Sequence, residues 1–294
     1  MAELFVHVGE LEIWTEHFGD KKNPPILLIM GAAAQGIFWP DVFCESLADR
    51  GFFVIRYDHR CTGQSSSIDF GKNPYTIDDL TKDAVAILDA YSIDQAHIVG
   101  TSLGGFIGLC MALSFTQRVR SLVLLMSSCD LSVVVDTILG IDISRHVLPR
   151  PRPEYVSLIR KLIRARPKTK RAFIDAHIKM LKIISGTQTF DEQEIIKMVT
   201  RACDRVKKYD AMVNIGLAIT ASRAHIDNLA DITVPTLIFE AEKDPVFPVG
   251  HGDALAHGIA QSTLIKLANV AHFASDQVFM AQILPVMVDF LKRN

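Results

Sequence analysis

Six short apolar runs punctuate the chain, at residues 26–30 (ILLIM), 52–58 (FFVIRYD), 96–100 (AHIVG), 121–126 (SLVLLM), 235–241 (PTLIFEA) and 262–267 (STLIKL). None alternates apolar with polar positions, as a strand with one wet face would. Unbroken runs of this length predict strands buried on both faces, which is the habit of a parallel sheet. Between them the apolar spacing turns helical, near 40–50, 78–92, 103–115, 249–260 and 275–292. Pro40 suits a first helical position and Gly51 a helix stop, while Ser275 is placed to cap the last helix. The segments 3–8 and 10–18 do alternate and meet at Gly9-Glu10, which predicts an antiparallel hairpin at the start. Strand and helix alternation makes the fold class α/β, with a mostly parallel central sheet flanked by helices.

The alternation stops over residues 131–231, where helical patterns such as Tyr155, Val156, Ile159, Leu162 and Ile163 recur and no run reads as a strand. A hundred residues is too long for a loop in a compact domain. The expected organisation is therefore a core of 1–130 and 232–294 with an inserted helical cap at 131–231. The cap begins with the apolar stretch LSVVVDTILGI, which suits either a roof over a site or the cap's own core.

Chemistry enters at IVGTSLGGFIG, residues 98–108. A serine between a strand and a helix has to turn sharply, and side chains two positions to either side would collide with the neighbouring chain. Gly100 and Gly104 remove that collision, and Gly105 and Gly108 let the helix pack closely on the sheet. Ser102 then stands clear of the sheet, beside the first N–H groups of a helix. Such a serine becomes a nucleophile only with a base held by an acid.

Reactive groups in a parallel sheet gather at the carboxyl ends of the strands, so the base is sought just past a late one. His272, in LANVAHFASD, meets that condition. His251 and His257 read as surface residues of a helix, His7 and His17 belong to the hairpin, and His146, His177 and His225 to the cap. His97 opens a strand, and His59 closes one but precedes Ser102. Two acids compete: Asp244, in a loop stiffened by Pro245 and Pro248, and Asp130, just past the preceding strand. The order serine, acid, histidine favours Asp244. Donors for an oxyanion are expected at the N–H groups of Leu103 and of Ala32, the latter in the small-residue loop MGAAAQG.

Composition narrows the partners. The net charge of −2 gives no global basic field for nucleic acid and no acidic excess. Five cysteines are scattered without metal-binding spacing, which predicts a reduced, cytoplasmic setting and no structural metal. No basic-then-apolar leader and no run of membrane-spanning length is seen. One local exception is residues 150–171, RPRPEYVSLIRKLIRARPKTKR, with nine basic side chains and one acid. It reads as a solvated face or as a basic amphipathic helix on a lipid or other anionic surface.

With these motifs in order, the chain resembles the α/β-hydrolase family over 26–130 and 235–292 and more loosely at the amino terminus. LIMGAAAQGIFWPDVF, VIRYDHRCTGQSS and NPYTIDDLTKDAVAILDA are most similar to the subgroup containing aclacinomycin methylesterase, which hydrolyses a methyl ester on an aromatic polyketide. Many relatives carry His-Gly where this chain has Met30-Gly31, a departure that subgroup shares. The resemblance implies Ser102 as nucleophile, His272 as base, Asp244 as acid, and Ala32 and Leu103 as oxyanion donors. It implies a structural part for the loop of Asp58, Arg60 and Gly63. The expected function is cofactor-free hydrolysis of a small carboxylic ester with an apolar or aromatic part. The same triad serves carbon-carbon, amide or lactone cleavage or perhydrolysis, and a hydrolase core can also serve as a non-catalytic binding module.

Overall fold

The computed structural model describes residues 2–142, 144–186, 192–211, 213–222 and 225–294. Strands β1 (Ala2–Val8) and β2 (Leu11–Phe18) form the expected antiparallel hairpin, with Val8 opposite Leu11 and Gly9 at φ +59° in the turn. β3 (Pro25–Ile29), β4 (Phe53–Tyr57), β5 (Ala96–Thr101), β6 (Val119–Leu125), β7 (Thr236–Ala241) and β8 (Ser262–Leu267) complete an eight-stranded sheet. Its order is β1-β2-β4-β3-β5-β6-β7-β8, antiparallel through β4 and parallel from β4 to β8.

The unbroken apolar runs are explained by two cores. Side chains alternate across a strand, so Leu27 and Ile29 join one hydrophobic cluster while Ile26 and Leu28 join the other. The first cluster takes in helix α2 (Ile77–Ala90) and helix α3 (Leu103–Ser114), and the second takes in α1 (Asp41–Ala48). Pro40 stands one residue outside α1, as its N-cap with ψ 140°, and not at the first helical position. The residue before a helix keeps extended angles, which proline accepts readily.

Between β6 and β7 the described residues form α4 (Ser132–Leu139), α5 (Pro153–Ala165), α6 (Lys170–Ile184), α7 (Glu192–Arg205) and α8 (Val213–Ala221). A single antiparallel bridge, Asp130 to His225, ties the two ends of this stretch together. α7 is fastened to the sheet. Arg205 donates to Asp58 Oδ2 at 2.8 Å and to Gln35 Oε1 at 3.1 Å, with its guanidinium 3.9 Å over the Trp14 ring, and Arg201 reaches Asp41.

The chain then resumes with α9 (His251–Gly258) and, after β8, with α10 (Asp276–Val278) and α11 (Leu284–Arg293). Ser275 caps α10 as expected, its Oγ accepting from Val278 N. The helix expected over 275–292 is divided by a π-type turn at Phe279–Ile283. Pro285 follows after Leu284, as the second residue of α11; it has no N–H to donate and its ring crowds the carbonyl one turn back, so a wider turn relieves the clash.

Candidate active site

β5 delivers Ser102 to the carboxyl edge of the sheet, and α3 leaves at once. Ser102 takes φ 55° and ψ −121°, a conformation costly for any residue with a Cβ. Its surroundings hold it there: Ser102 N donates to Leu125 O at 2.9 Å, and Ser102 O accepts from Gly105 N, Phe106 N and Ser127 Oγ. The flanking glycines are sterically required. A Cβ on Gly100 would lie 2.2 Å from Gly104 O, and one on Gly104 2.1 Å from Ile29 O. A Cβ on Gly105 would meet Ser127 at 2.6 Å, but one on Gly108 would make only ordinary contacts at 3.4 Å. Close packing of α3 therefore depends on Gly105 and not on Gly108, because Gly108 faces the ends of flexible leucine and isoleucine side chains.

The loops after β7 and β8 bring an acid and a histidine together. Asp244 is buried, and its Oδ1 accepts from the backbone N–H groups of Val246 (2.7 Å) and Phe247 (2.9 Å). That leaves Oδ2 for His272 Nδ1, at 2.7 Å. Lys243 N donates to Val270 O, which locks the two loops to each other, and the Phe247 ring stands edge-on to the imidazole at 5.5 Å. With its Nδ1 proton given to Asp244, a neutral His272 keeps the Nε2 lone pair for a substrate-side proton. Ser102 Oγ has no hydrogen bond to either residue among those described; the contact present is the one between acid and histidine.

Asp130, the competing acid, is taken up elsewhere. Its carboxylate accepts from Ser132 and faces His146 Nδ1 at 3.3 Å and His225 Nδ1 at 3.2 Å. It closes the entrance and exit of the helical stretch.

The loop after β3 lies against the serine. A Cβ on Gly31 would be 3.2 Å from Ser102 Cβ and 3.7 Å from its Oγ. This loop is shaped by Ala34 N donating to Gly31 O, by Ala33 at φ 60°, and by His59 Nε2 bonding Met30 O at 2.9 Å. Among the described residues the N–H groups of Ala32 and Leu103 have no acceptor in the protein.

This geometry agrees with comparisons against known proteins. Residues 24–157 match the family model for the alpha/beta hydrolase fold. A rhodomycin D methylesterase of Streptomyces sp. (strain C5) is 32% identical over 276 residues, 92% of each chain. A second rhodomycin D methylesterase, from Streptomyces peucetius, is 30% identical over the same share. The chain belongs to the α/β-hydrolase family. Among solved structures, the enol-lactonase from Burkholderia xenovorans LB400 superposes with a TM-score of 0.77 at 22% identity, covering 98% of this chain and 100% of that one, which speaks for the fold alone.

Within this hydrolase frame the remaining candidates take structural places. Asp58 is fully buried and bonds Gly36 N, Gln64 N and Arg205, and Arg60 pairs with Asp83. Burial lowers the His59 pKa from 6.5 to about 4, so its imidazole is neutral at pH 7. His257 is exposed as expected, but His251 is not a surface residue. It is buried at the start of α9, with Nδ1 on Ser128 Oγ at 2.7 Å and Nε2 on Pro149 O at 2.9 Å. A short helix with one buried face hides its first residue when the preceding loop folds back over it, and nothing in the local pattern announces that. Sequence reasoning also passed over Phe247. The only signal for Phe247 was an apolar residue three places after the acid in a proline-rich turn. The described residues hold no group of three or more His, Cys, Asp or Glu side chains fit for a metal ion.

Proposed function

We propose that the protein hydrolyses a carboxylic ester through an acyl-enzyme on Ser102. The observation that carries this reading is the set of three hydrogen bonds at Asp244, two backbone donors on Oδ1 and His272 Nδ1 on Oδ2, beside a serine held in a nucleophile elbow. His272 Nε2 removes the Ser102 proton as Oγ attacks the ester carbonyl. Asp244 holds the imidazole in the required tautomer and stabilises it when positive. The negative oxygen of the tetrahedral intermediate is met by the N–H groups of Ala32 and Leu103, each worth about 10²–10³ in rate in comparable sites. His272 returns the proton to the departing alcohol. Water, deprotonated by His272, then releases the acid and frees Ser102.

The helical stretch 131–231 acts as a cap on the core of 1–130 and 232–294, and its apolar opening favours a substrate with an apolar or aromatic part. The rhodomycin D methylesterases support a small-molecule ester, and five unpaired cysteines support a cytoplasmic setting. Among the described residues no helix is long and apolar enough to cross a membrane.

The test is intact-protein mass after exposure to a fluorophosphonate, with peptide mapping. One adduct on Ser102, absent from Ser102→Ala, is the expected result. Folded protein that takes up no adduct and leaves a small labile ester uncleaved refutes the reading.

A further inference from the structure

The basic stretch of residues 150–171 is not an ordinary solvated face, because the cations of its α5 part are unmatched. At the end of the stretch Lys170 pairs with Asp204 and Arg171 reaches Asp175, and farther along the insert Lys182 pairs with Glu192, Lys197 with Glu194 and Arg201 with Asp41. Among the described residues Arg152, Lys161 and Arg164 have no carboxylate partner; with Arg150, whose charge acts on Asp142, and with Arg160 they line one groove of about 750 Å³. Arg160 spends its Nε and Nη2 on the carbonyls of Ile138 and Thr137, capping α4, so its charge too is left uncompensated by any acid. The one acid of the stretch, Glu154, lies at the first turn of α5.

A second, independent feature lies on α4, α5 and the segment that joins them. Leu139, Ile141, Val147 and Ile163 are large apolar side chains left in water, Val147 at 97% exposure. They are four of the exposed large apolar residues of the molecule, drawn from α4, the segment after it, and α5. At about 100° per residue, Arg160, Arg164 and Lys161 span roughly a quarter-turn of α5, and Ile163 lies about 60° beyond Arg160 on the same exposed side. The face thus presents cations with an apolar margin.

We propose that this α4–α5 face docks on an anionic lipid bilayer. Unpaired cations complement the negative surface, and the apolar side chains enter the boundary between headgroups and acyl chains, where water exposure no longer costs them. A small soluble anion would satisfy the groove but leave Leu139, Ile141 and Val147 unexplained, and an acidic protein would not call for an apolar margin on a helix so strongly basic. The base of the face is tied to the catalytic loops, since Arg152 N donates to Pro245 O at 2.8 Å beside Asp244. Docking therefore sets the insert, and not the sheet, against the membrane.

The test is co-sedimentation of the full chain with phosphatidylcholine vesicles, with and without one-third phosphatidylglycerol, at low and high salt. Binding is expected only to the anionic vesicles, to fall steeply with salt, and to drop roughly thirtyfold in Lys161→Gln/Arg164→Gln. Val147→Asp, in a separate variant, is expected to weaken binding at every salt concentration. Both variants should be folded by circular dichroism and keep wild-type turnover of a soluble ester, so that loss of binding is not loss of fold. The proposal is overturned if wild type stays in the supernatant, if plain phosphatidylcholine binds equally well, or if the double variant binds like wild type. It is equally overturned if millimolar inorganic phosphate strips the protein from the vesicles while sodium chloride of the same ionic strength does not, since the groove would then be a small-anion site.

Discussion

A methyl group on residue 104 would be driven to 2.1 Å from a backbone oxygen that has no room to retreat, because Ile29 is held in the sheet. Gly104→Ala should cost about 3 kcal/mol or more, the upper range for overpacking, and abolish fluorophosphonate labelling along with the fold. Gly108→Ala is the control: its new Cβ would make ordinary contacts, and a helix gains up to about 1 kcal/mol from alanine over glycine. Urea unfolding of the two variants separates steric necessity from composition within a single motif. At the acid, Asp244→Asn keeps the shape but presents an amide to His272 Nδ1 and favours the wrong tautomer. A fall of about 10⁴ in kcat, with KM little moved, is expected from ester turnover. Asp130→Asn, by contrast, should spare kcat, because its carboxylate faces His146, His225 and Ser132.

Among the elements, α7 shows how an insert far along the chain is held to the sheet. Arg205 is mostly buried and makes two hydrogen bonds and a ring contact at once, to Asp58, Gln35 and Trp14. Asp58 in turn shapes the loop that carries Gly36 and the turn at Gln64. Removing the guanidinium strands a fully buried carboxylate, so Arg205→Ala should lose about 3–5 kcal/mol in urea unfolding. Arg205→Lys should recover little, because an ammonium cannot bridge the same three partners from one position. The ion pair could not be read from sequence: 147 residues separate Arg205 from Asp58, and neither lies in a pattern that distinguishes it from other charged residues.

For the whole molecule, imidazoles withdrawn from water shape the response to acid: His59, His97 and His251 are buried, His177 is half-buried, and burial lowers the pKa of each. Burial lowers His59, His97 and His177 from 6.5 to about 4. The unfolded chain binds protons at 6.5 that the folded chain refuses until about 4, so stability declines as pH falls through that window and is unaffected by these groups above it. Each can contribute up to about 3 kcal/mol of loss by the acid end. Urea midpoints measured across this range should fall steeply, and His97→Gln should flatten the slope by close to one proton.

The fold was legible because burial has a period. Unbroken apolar runs mark strands covered on both faces, 3.6-residue spacing marks the helices, and the described residues of the stretch with no strand pattern include α4 to α8. Local steric demand also made Ser102 and its glycines readable, since a sharp turn leaves few residue types to choose from. What the tertiary structure alone decided was pairing. The chain's order favoured Asp244 over Asp130, but the structure supplies the contact of Asp244 with His272, buries His251, sets Arg205 on Asp58 and, among the described residues, leaves Arg160, Lys161 and Arg164 of α5 without a carboxylate partner. Each of these depends on which loops converge at the carboxyl edge of the sheet or on its flank. Distance through space sets a hydrogen bond or an ion pair, and the chain's own order records distance only between near neighbours.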